Sequence, residues 1–404
     1  MHLLALVLIG LSLFGPKTPK DSYANVNAVI AIGDVHGDVE RLREALRSAR
    51  VIDAGGKWVA GKDHLVQTGD LLDRGPDSLK AVDLMMDLEK QAEKAGGRVH
   101  ALIGNHEMMN VLGDLRYVPA TDWALFAKDD TPANRKKLYA LEKKQGRTKA
   151  TFEKWQTLCT LGPKGFPVMA CVPGYWGRRF AFSTLGKYGQ WILNHNTAVK
   201  IDDTLFLHGG LSPRYATTSL TIINEEVRKA LTAGDAESPY LKMEGPAWYR
   251  CSSPTADAED GCAASLDVER SVVDPALKAH GARRIVVGHS VQPAILAFYG
   301  GKVVMIDVAL SHAIRGGAGP LGALELSSTK ANLLDAKALY WDKSIEIPIA
   351  RAGLDKYFAA ILLRANDVAA GRVKGFGKPD TKVLHAKMDE LTKTHGAQLA
   401  KAMK

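Results

Sequence analysis

The sequence has few cysteines and no hydrophobic run long enough to cross a membrane. Only four of its 404 residues are cysteines, and no two of them form a C-x-x-C pair. A zinc–thiolate site or a thioredoxin-type motif is therefore not expected. No apolar run approaches the ~20 residues of a spanning helix, which excludes a multi-span membrane protein and predicts no stable membrane span. Internal repeats and low-complexity stretches are also missing from the sequence.

What is present is an ordinary globular composition with an excess of positive charge. Apolar residues make up 46% and charged residues 24% of the chain, which excludes a disordered protein and a small disulfide scaffold. The length predicts two or three structural units. Lys and Arg outnumber Asp and Glu by 53 to 44, for a net charge of +9. This excess favours an anionic partner without choosing between nucleic acid, membrane and phosphate.

The longest apolar run, Leu3 to Phe14, has the length of a signal-peptide core. Ser22-Tyr23-Ala24 offers small residues at the −3 and −1 positions of a cleavage site. The sequence therefore predicts a signal peptide over residues 1–24 and export to the periplasm or outside the cell. The segment before the run has no Lys or Arg, and Gly15–Asp21 is a long polar gap. The alternative is a cytoplasmic protein with a mis-assigned start or a buried N-terminal strand.

The four cysteines fall into two local pairs along the chain. Cys159 lies close to Cys171, and Cys251 lies close to Cys262. In an oxidising compartment these pairs predict two disulfide bonds. In the cytosol, four buried thiols are the expected state.

Strand signals alternate with helical ones in the first hundred residues. Ala28–Ile32 predicts a strand that ends at Gly33, a second apolar run precedes Gly69, and Val99–Ile103 leads into Gly104. Helical patterns lie between them, one from Val39 to Arg50 and one from Asp77 or Ser78 to about Ala95, followed by the helix-ending pair Gly96-Gly97. This alternation predicts an α/β core.

The alternation stops in the middle of the chain. Residues of about 113–200 predict a largely helical insertion that covers or flanks the site, and its basic stretch Arg135–Lys144 is interpreted as a solvated face. Strand signals return at Thr204–Leu207, Arg284–Val287 and Val303–Ile306. Residues 331–404 predict an accessory, mostly helical segment, with helical spacing from Leu354 to Ile361.

Five polar segments each follow a predicted strand. They are Gly33–Gly37 (GDVHG), Gly69–Gly75 (GDLLDRG), Gly104–Glu107 (GNHE), His208–Gly210 (HGG) and Gly288-His289. Ligands of open α/β sheets bind beyond the carboxyl ends of the strands, so we expect these segments to converge. They supply carboxylates, imidazoles and one amide oxygen but no thiolate, a set that suits Mn, Fe or Zn in open coordination.

The order of these motifs resembles that of the calcineurin-like metallophosphoesterases. GDxxDRG with GNHE is similar to the phosphoprotein phosphatase branch of that family. Further segments resemble the Shewanella-like protein phosphatases, namely Gly104–Asn110, Gly113–Tyr117, Gly245–Arg250 and Val286–Gln292. The resemblance spans Ala28 to Leu326. It implies a four-layer sandwich of two mixed β-sheets flanked by helices, in a domain of residues 25–330 with a helical insertion and a C-terminal helical extension.

The resemblance also implies a set of site residues. One metal site would comprise Asp34, His36 and Asp70, and the other Asp70, Asn105, His208 and His289, with Asp70 as the bridge. Two divalent or trivalent ions (Mn, Fe or Zn) would activate a bridging hydroxide for direct in-line attack on phosphorus. His106 would be the general acid, oriented by Asp73, and Glu107 would support the ligands without binding metal.

Three arginines are candidates for binding the phosphate group. Arg74 is expected to clamp phosphate oxygens through its planar fork, and its alternative is an ion pair with Asp73 or Asp77. Arg250 is the second candidate. Arg116 is the third, and its alternative role is to tie the insertion to the core.

These residues predict a metal-dependent phosphomonoesterase that acts on phosphorylated proteins or peptides. The resemblance leaves open whether the substrate carries phosphoserine or phosphothreonine, or phosphotyrosine. The alternative is a nucleotide hydrolase, since diadenosine tetraphosphatases share the GDxHG, GDxxDRG and GNHE motifs. A non-enzymatic scaffold would lack a ligand, and none is missing here. No nucleic-acid partner is expected, because no recognised motif or basic–aromatic stripe accompanies the charge. The sequence does not give the oligomeric state.

Overall fold

The computed structural model describes residues 19–158, 172–253, 256, 260, 262, 267–292, 295–314 and 322–328, and the backbone of 334–340 and 345–349. The strands in these parts are β1 (Ser22–Tyr23), β2 (Ala28–Ile32), β3 (His64–Gln67), β4 (Arg98–Ala101), β5 (Ala198–Ile201), β6 (Thr204–Leu207), β7 (Arg284–Val287), β8 (Leu296–Phe298), β9 (Val303–Met305), β10 (Gly322–Ser328), β11 (Leu334–Tyr340) and β12 (Ile345–Ile349). The α-helices are α1 (Val39–Ser48), α2 (Ser78–Ala95), α3 (Asn105–Leu112), α4 (Ala120–Leu125), α5 (Pro132–Lys144), α6 (Phe152–Trp155), α7 (Tyr175–Phe182), α8 (Lys187–Leu193), α9 (Leu220–Ala233) and α10 (Asp274–His280).

The strands form two mixed sheets. The first sheet has the order β1-β5-β6-β7-β9-β8, and the second has the order β12-β11-β10-β2-β3-β4. Strands β2, β3 and β4 run parallel to one another, as do β6, β7 and β9. The carboxyl ends of each parallel set therefore lie along one edge of its sheet, and all five motifs follow strands of these two sets.

Side-chain alternation along the strands explains the layers. In β2, Val29 and Ala31 belong to an apolar cluster that also contains Phe206 of the first sheet, so one face of each sheet packs against the other. Ile30 and Ile32 point the opposite way and pack with the helices of the first hundred residues. Because side chains at i and i+2 share a face of a strand, one strand serves two cores. Helices α9 and α10 cover the outer face of the first sheet, which gives the expected four layers.

The insertion folds as helices α4 to α8 around its own aromatic core. Trp123, Trp155, Tyr175 and Trp176 are buried together there, with Leu115 and Leu138 among them. The expectation of a helical insertion is met in its described part, which ends where strand β5 begins at Ala198. Residues 159–171 lie outside the described residues, and with them the hypothesis of a Cys159–Cys171 disulfide. The other hypothesised bond, Cys251–Cys262, is formed.

Both ends of the expected domain need a correction. At the N-terminal end, Ser22 and Tyr23 form β1, which pairs with β5 at the edge of the first sheet. A boundary after Ala24 would remove this strand, so the fold begins before the expected residue 25. Strand β1 is partly exposed, and the apolar run Leu3–Phe14 lies outside the described residues, so the signal peptide stays a prediction.

At the C-terminal end, the sheet continues past residue 330. Strand β11 pairs with β10, and β12 pairs with β11, both antiparallel. The first part of the expected helical segment is therefore a sheet extension, and the spacing from Leu354 to Ile361 lies outside the described residues. Pro348 is tolerated because β12 is the edge strand of the second sheet. In the described part of the chain, no helix combines the length and apolarity needed to cross a membrane.

Candidate metal centre and active site

The ends of the parallel strands form the floor of a pocket of about 500 Å³. Asp34 and His36 follow β2, Asp70 follows β3, Asn105 and His106 follow β4, and His289 follows β7, and all of them line this pocket. His208 follows β6 and is fully buried behind the same wall. The structure thus brings together all six predicted ligand residues and the predicted general acid.

Asp70 occupies the centre of this group. Its Oδ2 atom lies 3.7 Å from His36 Nε2, 3.8 Å from His106 Nε2 and 3.3 Å from His208 Nε2. Two sets of potential ligand atoms within 4.8 Å of one another share this residue, one with His36 and His106 and one with His208 and His289. Asp34 reaches the first set, because its Oδ2 lies 3.8 Å from His36 Nε2. This position is the one expected of a bridging carboxylate.

Backbone carbonyls fix the orientation of the histidine rings. His36 Nδ1 lies 3.1 Å from Leu72 O, and His208 Nδ1 lies 2.9 Å from Thr68 O. Because a carbonyl only accepts, each Nδ1 carries a hydrogen, and each Nε2 is the ring atom that faces Asp70. Burial lowers the pKa of His36 to about 3, which keeps that ring neutral.

Burial and neighbouring charges shift the pKa values of the buried carboxylates of the site. Burial raises the pKa of Asp34 well above its usual range, and the neighbouring Asp307 and Asp70 add to this effect. Burial also raises the pKa of Asp307 to about 6. For Asp70, burial acts in the same direction, but His208 and His106 outweigh it and hold its pKa well below the usual range. A bound cation would stabilise all three carboxylates.

The donor set fits metal ions. His208 Nε2 lies 2.9 Å from Asn105 Oδ1 and 3.3 Å from Asp70 Oδ2. Because His208 Nδ1 is directed at Thr68 O, its Nε2 is the atom that faces the two oxygens, and a cation held between the three atoms could take all of them as ligands. Lone pairs of nitrogen and oxygen without a thiolate suit Mn, Fe or Zn.

Several site residues hold an unusual backbone conformation. Positive φ angles occur at His36 (45°), Asp70 (58°), Asp73 (70°), Arg74 (67°) and His289 (64°). Such angles cost non-glycine residues about 1–3 kcal/mol each and persist only where the surroundings hold them.

Glu107 holds the turn around Asp70. Its carboxylate accepts hydrogen bonds from the backbone N–H groups of Asp70 (2.7 Å), Leu71 (3.0 Å) and Gly104 (2.9 Å). Burial raises the pKa of Glu107 to about 7, and the Asp70 charge adds to the shift. Both Glu107 oxygens are occupied by N–H groups, so Glu107 supports the ligands, as expected.

The predicted acid and its partner form a close pair. His106 Nδ1 lies 2.7 Å from Asp73 Oδ2, and both side chains are buried. His106 Nε2 faces the pocket and Asp70. Burial alone lowers the pKa of His106, but the carboxylates of Asp70 and Asp73 outweigh it and raise the pKa. This favours an imidazolium that can donate a proton into the pocket.

Two of the three candidate arginines line the pocket. The exposed Arg74 guanidinium lies 4.9 Å from the centre of the Tyr117 ring, and among the described residues it has no ion pair with Asp73 or Asp77. Arg250 donates a hydrogen bond from Nη1 to His289 O at 2.8 Å. Its backbone position next to Cys251 places it beside the disulfide bond. Both arginines can therefore reach a phosphate group in the pocket.

The third arginine is placed differently. Arg116 forms a two-pronged ion pair with Asp114, with Nε at 2.9 Å from Oδ1 and Nη2 at 2.7 Å from Oδ2. It does not line the pocket. Asp114, at the start of the insertion, binds Nε and Nη2 of Arg116, and the role of Arg116 in substrate binding stays a prediction.

Sequence reasoning missed four residues around the site. Asp307 lies beside Asp34, Tyr117 and Trp248 form the pocket wall, and Arg178 contacts the acid pair from behind. Asp307 carried a usable signal, because it follows the predicted strand Val303–Ile306 directly, as the other carboxylates follow theirs. Arg178 carried none, since its burial depends on distant parts of the chain.

Comparisons with known proteins agree with this geometry. The sequence profile of the calcineurin-like phosphoesterase family matches residues 28–293. Shewanella-like protein phosphatase 2 of Arabidopsis thaliana is 32% identical over 70% of this chain and 71% of its own length. An uncharacterised protein of Schizosaccharomyces pombe is 30% identical over 82% of this chain and 86% of its own length.

Among solved structures, a cold-active protein-tyrosine phosphatase of a psychrophilic Shewanella species is similar to this chain. The two have a TM-score of 0.58 and 25% identity, over 82% of this chain and 83% of the other. The family profile covers more than half of the chain, including all of the ligand residues named above. The chain therefore belongs to the calcineurin-like phosphoesterases, as a metal-dependent phosphatase related to the Shewanella-like protein phosphatases.

Proposed function

We propose that this phosphatase hydrolyses phosphomonoesters of protein or peptide side chains at a centre of two metal ions. The observation that carries the proposal is the position of Asp70, which is shared by two groups of possible ligand atoms and whose Oδ2 lies 3.7 Å from His36 Nε2 and 3.3 Å from His208 Nε2. Asp34, His36 and Asp70 would hold one ion, and Asp70, Asn105, His208 and His289 the other. When bound, two such ions lower the pKa of water and neutralise charge on phosphate oxygens.

The arginines would bind and orient the substrate. Arg74 and Arg250 line the pocket from different segments of the chain, so they can hold two edges of one phosphate group. The Tyr117 ring limits the movement of Arg74 through a cation–π contact at 4.9 Å. This arrangement supports recognition of a terminal phosphate, which exposes several free oxygens, over a phosphodiester.

His106 would supply the proton for the leaving oxygen. Its Nε2 faces the pocket, and Asp73 accepts the hydrogen on Nδ1 and thereby holds the ring in that orientation. The aid of a general acid matters most for the alkoxide of serine or threonine and for an unsubstituted phenolate, and least for an activated phenolate.

The side chain of the substrate is the open part of the proposal. The pocket is flanked by Tyr117 and Trp248, which offer aromatic surface to a phenyl ring, and a solved relative is named as a tyrosine phosphatase. We therefore put phosphotyrosine first. A panel of peptides with phosphotyrosine, phosphoserine or phosphothreonine, together with diadenosine tetraphosphate, separates the candidates. Fastest turnover of the dinucleotide would overturn the protein-phosphatase proposal.

Two variants test the mechanism. His106→Asn should retain its metal and lose about 100-fold or more in kcat on phenyl phosphate, with a far smaller loss on p-nitrophenyl phosphate. Asp70→Asn should lose both activity and metal, because both ion positions depend on its carboxylate. Loss of metal in the first variant, or normal metal and activity in the second, would contradict the assigned roles.

Export is the last part of the proposal. It is supported by the apolar run Leu3–Phe14 and by the disulfide bond Cys251–Cys262. Since β1 contains Ser22 and Tyr23, processing should occur before Ser22. Fractionation of producing cells with N-terminal sequencing of the protein tests this. A cytoplasmic chain that keeps its first residues would refute export.

A further inference from the structure

Arg178 of helix α7 is buried directly behind the acid pair. Its side chain is completely inaccessible to solvent, as is that of Asp73. Arg178 Nη1 lies 2.6 Å from Asn110 Oδ1, and Nη2 lies 3.7 Å from Asp73 Oδ1. A buried arginine is costly unless its charge is paired and its donors are used, so this placement requires a reason.

Asn110 connects Arg178 to both members of the pair. Its Nδ2 group donates to Asp73 Oδ1 and Oδ2, both at 3.1 Å, and to the backbone oxygen of His106 at 2.8 Å. A guanidinium can only donate, so Asn110 must turn its oxygen towards Arg178 and its amide hydrogens towards Asp73. Arg178 therefore excludes the flipped amide, which would set an oxygen against the Asp73 carboxylate.

The insertion holds Arg178 rigidly in turn. Asp122 Oδ2 lies 3.5 Å from Arg178 Nη2, and the rings of Phe182 and Trp123 lie 4.6 Å and 5.6 Å from its guanidinium carbon. An ion pair and two cation–π contacts leave little freedom for the side chain. The insertion thus presents one fixed cation to the rear of the Asp73 carboxylate.

We infer that Arg178 is a positioning residue for the general acid, acting through Asn110 on Asp73 and through Asp73 on the His106 ring. With Arg178 in place, the amide hydrogens of Asn110 stay directed at Asp73, whose Oδ2 contacts His106 Nδ1, and the cation offsets the negative charge of Asp73. Without it, a buried amide oxygen loses its donor and the carboxylate can turn away from His106. The inference rests on the general-acid role proposed for His106.

The test compares two substrates that differ in their need for an acid. Arg178→Gln should lower kcat about 30-fold on phenyl phosphate and no more than about threefold on p-nitrophenyl phosphate, with KM and metal content unchanged. Arg178→Lys retains the charge and should recover part of the loss. Asn110→Ala removes the amide that links Arg178 to Asp73, so it should show the same selective loss on phenyl phosphate as Arg178→Gln. If Arg178→Gln does not fold, Asn110→Ala provides the test in its place.

Arg179 provides a matched control on the same helix. It is also buried, and its guanidinium pairs with Glu142 within the insertion and does not contact the acid pair. Arg179→Gln should lower the thermal stability of the protein without a difference between the two substrates. Equal losses on both substrates in Arg178→Gln or Asn110→Ala, as in this control, would overturn the inference.

His106→Asn, measured beside these variants, separates the positioning role of Arg178 from the general-acid role of His106. If His106→Asn loses phenyl phosphate turnover selectively while Arg178→Gln and Asn110→Ala do not, the positioning role of Arg178 is wrong and the general acid stands. If His106→Asn shows no selectivity, the general-acid role is wrong and the inference about Arg178 falls with it.

Discussion

Gly104 lies against the carboxylate of Asp70, and a single methyl group there should disturb the centre of the site. A Cβ atom on Gly104 would lie 2.3 Å from Asp70 Oδ1 and 2.5 Å from Asp70 N. Ordinary contacts of a Cβ begin near 3.4 Å, so Asp70 would have to move by roughly 1 Å. The φ of Gly104 is −88°, which any residue can adopt, so the expected effect is steric.

The size of the effect follows from two contributions. Forcing a carbon atom into a closely packed site lowers the free energy of unfolding by about 1–3 kcal/mol. Alanine in place of glycine at the N-cap of a helix lowers it by up to about 1 kcal/mol more. We therefore expect Gly104→Ala to lower the free energy of unfolding by roughly 1–4 kcal/mol, since Gly104 is the N-cap of α3. Displacement of Asp70 should also weaken metal binding by about 10- to 100-fold.

Urea unfolding in the presence of a chelator isolates the steric contribution, and metal titration measures the second. Gly55→Ala is the matched control, because its added Cβ meets only a side-chain oxygen of Asp53 at 3.3 Å, in a loop away from the pocket. The argument would be refuted if Gly104→Ala had the same unfolding free energy and the same metal affinity as the Gly55→Ala control. It would mean that the position of Asp70 is not fixed by its contact with Gly104.

Two other perturbations have defined outcomes. Tyr117→Ala removes the ring that holds Arg74, so KM for a phosphopeptide should rise about five- to tenfold with a smaller change in kcat, and an unchanged KM would argue against this contact. Burial lowers the pKa of His64 to about 4, with Arg98 adding to the shift, and His64 Nδ1 lies 3.1 Å from His100 Nε2. The unfolded chain therefore binds more protons between pH 6.5 and 4, and the stability that the neutral ring provides is lost as the pH falls through this window. Replacing His64 with Gln should reduce the loss of unfolding free energy between pH 7 and pH 5 by about 2 kcal/mol, and an equally steep loss in the variant and the parent protein would contradict the sign.

The site residues that the sequence predicts are those that lie in short segments directly after a strand. Each ligand stands within a few residues of the end of a strand, so strand and ligand are recognised together, as at Ala28–Ile32 and Asp34. The same rule applied to β9 would have found Asp307. In the C-terminal region, the alternating residues Ile345, Ile347 and Ile349 form an edge strand, and this period of two was the overlooked signal for β12.

Other features follow only from the tertiary structure. Strand β1 has two residues, and its identity depends on β5, which lies more than 170 residues later in the chain. Arg116 stands inside a recognised motif, and the binding of its Nε and Nη2 to Asp114 two residues earlier depends on side-chain geometry that the motif does not show. Arg178 is one of many basic residues in a basic chain, and nothing local marks it as the completely buried one.

The insertion therefore does more than cover the pocket, because it also contacts the residues that hold His106. Its aromatic core packs Trp123 and Phe182 around one guanidinium, and that guanidinium reaches Asn110, four residues after His106 on the core helix α3. A helix that only shielded the pocket would have no need to bury a charge at its base, because the burial costs several kcal/mol unless partners offset it. Asp122 and Asp73 place negative charge 3.5 and 3.7 Å from Arg178 Nη2 and offset part of this cost, and Asp73 also contacts His106 Nδ1 at 2.7 Å. Folding of the insertion and alignment of the proton donor are thus coupled through the same buried ion pairs, so a loosening of α7 should first slow the release of poor leaving groups.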